Sequence, residues 1–194
     1  MPALIRPVVD ECDGLLTCLA QQRYALRLAA YGLTDEQARA TPTAGTLSVG
    51  GIIKHVAIGE QGWTDAIRQR PQTSPPEFDR TFRLGPDETL TAVLDRYAGV
   101  AADTEAVVGD IGDMGRAVPV PEGRGWAPKD TKEWSVRWVL LHLIGETARH
   151  AGHADIVRES LDGATAFPLM AAVEGWPASR WIQPWEPPTA SVMP

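Results

Sequence analysis

The hydrophobic positions of this chain fall into four long runs with helical spacing, separated by stretches in which proline and glycine interrupt any regular pattern. Between Asp10 and Tyr31 apolar residues recur at Leu15, Leu19 and Leu26, and Gly32 follows as a stop signal, so a first helix is expected over 10–31. The turn-rich "ATPTAGTLSVGG" leads, through a cap at Thr46 or Ser48, into a second helix over 46–69 that carries His55 and Trp63. Four prolines in "RPQTSPPEFDRTFRLGP" exclude a regular helix and make that segment a connector. Leu90, Val93, Leu94, Tyr97, Val100 and Ala101 mark an amphipathic third helix over 87–108. "GDIGDMGRAVPVPEGRGWAPKD" is a long connection rich in Gly and Pro, and the 110–132 region is a candidate lid. A proline-free fourth helix is expected over 133–162, stopped by Gly163, and the Trp- and Pro-rich tail, 164–194, is expected to pack against the helices. No strand-like alternation of useful length and no repeat is found. The chain reads as one all-α domain over 1–194, a four-helix bundle with long crossover connections.

Composition narrows the function classes. A chain of 194 residues and 21.0 kDa suits a single core. Its net charge of −7 and the lack of any Lys/Arg run argue against nucleic acid as a partner, because that affinity comes largely from clustered positive charge. Cys12 and Cys18 lie six apart, turned about 120° from each other on a helix, and form no disulfide framework. The N-terminal sequence has no leader pattern and no window approaches 18 apolar residues, so a soluble, unexported protein of the reducing cytoplasm, without a membrane partner, is expected. Seven Trp beside three Phe and three Tyr hint at a pocket.

The candidate chemistry lies in "GETARHAGH", 145–153. With Glu146 at zero on a helical wheel, His150 falls near +40°, and His153 and His142 near −20° and about −40°. Val139, Leu143 and Val157 share that arc while Arg137, Asp155 and Asp162 lie opposite, so the arc is expected to face the core. A carboxylate directed inward needs a cation, a proton or a metal. On the second helix His55 shares a stripe with Gly51, Gly59 and Gly62, which implies either close backbone approach or room for a ligand. From spacing alone, two readings stand. One is a metal site in which the Glu/His pair meets His55; the other is a set of neutral histidines packed in a core.

Two segments, "GLTDEQARATPTAGTLSVGGIIKHVAIGEQGW" and "WSVRWVLLHLIGETARHAGHADIVRE", resemble the DinB-like superfamily of bacterial four-helix bundles. In that superfamily a helix-two histidine and two late-helix residues four apart bind a metal. Many members use a late His-x-x-x-His pair. Glu146 in place of the first histidine resembles the mycothiol-dependent maleylpyruvate isomerase and thiol S-transferase branch. The resemblance implies His55, Glu146 and His150 as ligands of a divalent ion, expected to be zinc, with nickel, manganese or iron as alternatives. His153 is left as an acid/base group or a residue supporting the ligands. The isomerases carry a further C-terminal domain where this chain has a short tail, so isomerisation itself is not expected. Arg149 lies at the edge of the inward arc and Arg158 points well away from it.

The leading expectation is a metal-dependent thiol S-transferase, in which the ion activates a mycothiol-like small-molecule thiol toward an electrophile. The alternatives are a metal-dependent hydrolase and a non-catalytic metal-binding or stress-response bundle. A homodimer is a further expectation, from apolar runs such as "WVLLHLI".

Overall fold

The structure is a computed structural model that describes residues 4–70, 78–120 and 128–187. Its four long helices are α1 (Glu11–Leu28), α3 (Val49–Ile67), α5 (Leu90–Ile111) and α6 (Val136–Asp162). Short helices α2 (Asp35–Arg39), α4 (Phe78–Thr81) and α7 (Ala166–Glu174) fill the connections and the tail. The long helices start where a hydroxyl or carboxylate can take an orphan N–H of the first turn. Asp10, Ser48, Thr89 and Ser135 accept from the backbone N–H three residues on. Gly112 and Gly163 end α5 and α6 in the left-handed region, with φ of 64° and 75°. No helix among the described residues is long and apolar enough to cross a membrane.

In the bundle α1 packs against α6 and α5, and α3 against the same two helices. The all-α reading holds, with four corrections. Residues 133–135, read as the start of the last helix, form strand β2 (Glu133–Ser135), which pairs antiparallel with β1 (Ala117–Pro119). Three-residue strands are too short to show an alternating pattern, and Ser135 leaves the ladder to cap α6. The connector after the second helix contains one helical turn, α4, just past its clustered prolines. The tail forms α7, whose Leu169 and Met170 pack with Leu28, Trp176 and Trp185 at the C-terminal end of α1. The wheel's outward side of α6 is also not all solvent. Arg158 is fully buried there, giving hydrogen bonds to the carbonyls of Ala29 and Tyr31 at 2.8 Å and to Asp162. Residues 121–127 of the candidate lid, 71–77 of the connector and 188–194 of the tail lie outside the described residues.

The core is divided along the bundle axis. One apolar cluster gathers Leu26, Ile52, Ile53, Val93 and Ala154, and a second gathers Leu19, Ile67, Val108, Val139 and Leu140. Between them each long helix contributes a buried polar residue: Arg23, Glu60, Thr104 and Thr147. Arg23 donates from Nε and Nη2 to the two carboxylate oxygens of Glu60 at 3.2 and 2.6 Å, and Thr104 donates to the same carboxylate at 2.8 Å. Glu60 is therefore a sealed carboxylate whose charge is met by a buried guanidinium.

Candidate metal centre

α3 and α6 run antiparallel, since His55 faces His150 at one level, with ring centroids 5.0 Å apart, and Trp63 faces His142 at another, at 5.1 Å. The open seam between the two helices is a cleft of about 480 Å³ whose walls include Val56, Gly59, Trp63, Leu143 and Glu146. Glu60 and Thr147 lie at its floor, so the cleft opens directly over the polar layer.

Near the middle of the cleft His55, Glu146 and His150 converge. Glu146 Oε1 lies 3.1 Å from His150 Nε2 and 4.0 Å from His55 Nε2, and one donor atom from each of the three falls within 4.8 Å of the others. A tetrahedral ion with bonds of about 2.1 Å separates its ligand atoms by about 3.4 Å. Side-chain adjustments of under about an ångström would thus bring this set onto one ion. The three residues form a group that could hold a metal ion. His142 and His153, which share the wheel arc, do not join that group. His142 stacks on Trp138, and His153 packs edge-on against His150 at 5.5 Å.

The protonation states suit the donor role. Burial, helped by the neighbouring His150, pushes the His55 pKa down to about 4 against the opposing pull of Glu146. Burial likewise lowers His150, again opposed by Glu146. Both imidazoles are neutral at pH 7 and offer a nitrogen lone pair, while Glu146 brings a negative charge. His55 Nδ1 lies 2.8 Å from Thr81 Oγ1, and the ring stacks on Phe82 with centroids 3.7 Å apart. Were Nε2 to give its lone pair to an ion, Nδ1–H would be left to donate to the threonine, and the contact with Thr81 would then hold the tautomer and ring plane that a metal-binding histidine needs. His150 Nδ1 and His153 Nδ1 are buried without a hydrogen-bond partner among the described residues.

The expectation that Glu146 is a carboxylate buried in an apolar bundle is corrected. Its side chain is 41% exposed, because it borders the cleft. The sealed carboxylate is Glu60, which the sequence reading passed over although it stands next to Gly59 on the same helix. Thr81 and Phe82 were also missed, since nothing in a proline-broken connector signals that its end folds over His55. The glycine stripe divides into two roles. At Gly51 a Cβ would lie 1.9 Å from the Phe82 carbonyl oxygen, so close backbone approach explains it, whereas at Gly59 and Gly62 a Cβ would meet nothing within 4 Å. Arg149 borders the cleft, and Arg158 is far from it.

The described parts of the tail and of the candidate lid leave this site uncovered. Trp185 packs on Tyr31 and over the Arg158 guanidinium, and Val118 of β1 is buried in the cluster at the N-terminal end of α6.

The chain matches the family model described as mycothiol-S-transferase over residues 14–163, a span that contains all four long helices apart from the first turn of α1 and includes the three donors. The crystal structure of a conserved protein from Enterococcus faecalis superposes with a TM-score of 0.62 at 14% identity, covering 81% of this chain and 100% of that one. At that identity the likeness is one of fold. No curated protein matches the chain.

Proposed function

The chain belongs to the mycothiol S-transferase family, and from that premise we propose that it joins the sulfur of a low-molecular-weight thiol, mycothiol or a close analogue, to an electrophilic carbon. The observation that carries the proposal is the convergence of two neutral imidazoles and one carboxylate at the wall of an open cleft. His55, Glu146 and His150 would hold a divalent ion, and this nitrogen and oxygen set suits zinc, with nickel, manganese or iron also compatible. The ion, when bound, would lower the pKa of a thiol entering its open position so that the sulfur attacks as thiolate.

The chain's own residues supply the rest. Thr81 and Phe82 hold the His55 ring in the plane its lone pair needs. Glu146 reaches the other two donors from the solvent side, leaving the cleft mouth as the entry for both substrates. In the transfer the S–C bond forms, the bond from carbon to its leaving group breaks with the electron pair going to that group, and the thiol proton passes to solvent. Neither Cys12 nor Cys18 is needed, because the nucleophile arrives with the cosubstrate. Both cysteines are on α1, outside the cleft lining.

Elemental analysis of the purified protein should find about one equivalent of metal, and His55→Ala and His150→Ala should each lose it. Turnover of an electrophile with a panel of small thiols should fall by roughly a hundredfold or more in both variants. Metal retained in both variants would overturn the ligand assignment. An intact metal with no turnover for any thiol would overturn the transferase reading and favour hydrolysis or a non-catalytic role.

A further inference from the structure

The cleft extends from the three donors toward Trp63 and His142, and this arm has its own chemistry. Val56, Gly59 and Trp63 line it from α3, and His142 and Leu143 from α6. Gly59 leaves a gap the width of a side chain between the donors and Trp63, because a Cβ there would meet nothing within 4 Å. Trp63 stands edge-on to Trp134, Trp138 and His142 at 5.3, 5.5 and 5.1 Å. Those three rings stack in a ladder, Trp134 on Trp138 at 4.6 Å and Trp138 on His142 at 5.2 Å, with interplanar angles of 12° and 4°. This is not a core. Trp138 is 36% exposed, and Trp63, Trp134 and His142 are each only partly buried.

Between Gly59 and Trp63 the arm carries no uncompensated charge of its own; Glu146 stands at its donor end and acts on His142 from there. The carboxylate at its floor, Glu60, is held by Arg23, and Arg149 borders the cleft beyond Glu146, on the far side of the donors from Trp63. Burial keeps His142 below its usual pKa, so its ring faces the arm neutral at pH 7. An uncharged slot that ends on aromatic rings favours a flat apolar group, which can stack or pack edge-on there and leave its polar substituents toward the mouth.

We infer that the Gly59–Trp63–His142 arm is the electrophile subsite and that it selects planar, apolar electrophiles over small aliphatic ones. The inference rests on the transferase reading for its chemistry, but not for its binding. With a chlorinated aromatic, the ring carbon gains the thiol sulfur, chloride leaves with the bonding pair, and the thiol proton goes to solvent.

The test separates binding from turnover. Equilibrium dialysis with 1,3-dinitrobenzene, flat and unreactive, should show saturable binding to the metal-loaded protein. Gly59→Leu, which fills the gap from an open helix position, and Trp63→Leu, which removes the wall, should each weaken that binding by about tenfold or more. Gly59→Ala should weaken it less. In turnover, the ratio of kcat/KM for 1-chloro-2,4-dinitrobenzene to that for iodoacetamide should fall by about tenfold or more in Gly59→Leu, with metal content unchanged. Binding that is absent in the wild type, or indifferent to both leucine variants, overturns the subsite even if thiol transfer is found. A ratio that stays constant because both electrophiles suffer equally overturns the claim of selectivity. Dinitrobenzene binding that is sensitive to Gly59→Leu, together with no turnover for any thiol, supports the subsite and overturns the transferase reading instead.

Discussion

Glu60 and Glu146 are both glutamates on central helices of one bundle, and both border the same cleft, yet they do opposite things. Glu60 is fully buried, and its two oxygens accept from Arg23 and Thr104. Nothing is left over for a ligand. Glu146 is 41% exposed, and the two groups it meets are imidazoles that burial keeps neutral, with Arg149 the cation bordering the same cleft. A sealed carboxylate with a guanidinium is a device for joining helices. A half-open carboxylate among lone pairs is a group that could hold an ion. Burial alone therefore singles out Glu60, whereas the identity of the partners singles out Glu146 as the candidate ligand.

The comparison is most directly broken by exchanging the losses. Glu60→Ala leaves the buried Arg23 guanidinium with only the half-exposed Glu105, 2.7 Å from its Nη1, and should cost about 3 kcal/mol of stability in urea unfolding, while the folded fraction keeps its metal. Glu146→Ala should show the reverse, a small stability change in the metal-free protein and a loss of bound metal. A Glu60 variant that unfolds at the wild-type midpoint would show that the pair joins nothing.

Acid tests the neutrality of the imidazoles. His55 has a folded pKa of about 4 against 6.5 when unfolded, so the unfolded chain takes up its proton first as pH falls. Its contribution is intact above pH 6.5 and is lost progressively between 6.5 and 4, amounting to about 2–3 kcal/mol in metal-free protein. His55→Gln should remove that part of the acid sensitivity. Equal slopes for the two proteins over this window would mean that His55 is not desolvated as the structure has it. The smallest effect is expected at Thr81→Val, which keeps the shape but removes the oxygen facing His55 Nδ1. Metal affinity should weaken by about 10–100-fold with the fold unchanged, read by competition with a chelator.

Much of this was legible in the sequence, for reasons that also explain what was not. The long helices carry their own signals, in the periodic leucines and valines, in Ser48, and in Gly163. The two late donors are one turn apart on one helix, and spacing alone places them together. The third donor is named by the resemblance, and its helix level follows from packing. What escaped depends on contacts between distant positions. Glu60 becomes sealed only because Arg23, 37 residues earlier, reaches it, and no local pattern records that. Thr81 and Phe82 matter through where α4 lands, which proline-rich sequence leaves open. Arg158 looked solvent-facing on a wheel drawn for a helix with one buried side, but α6 is buried on two.

Gly51 never touches a substrate in any of this. Its missing side chain lets the Phe82 carbonyl rest on the backbone of α3, one turn before His55. The distance between two stretches of main chain thus sets how high the Thr81 hydroxyl and the Phe82 ring stand over the imidazole. An aim usually credited to side chains is here a matter of vertical clearance, and one added methyl group at position 51 would raise the roof over a histidine it cannot reach.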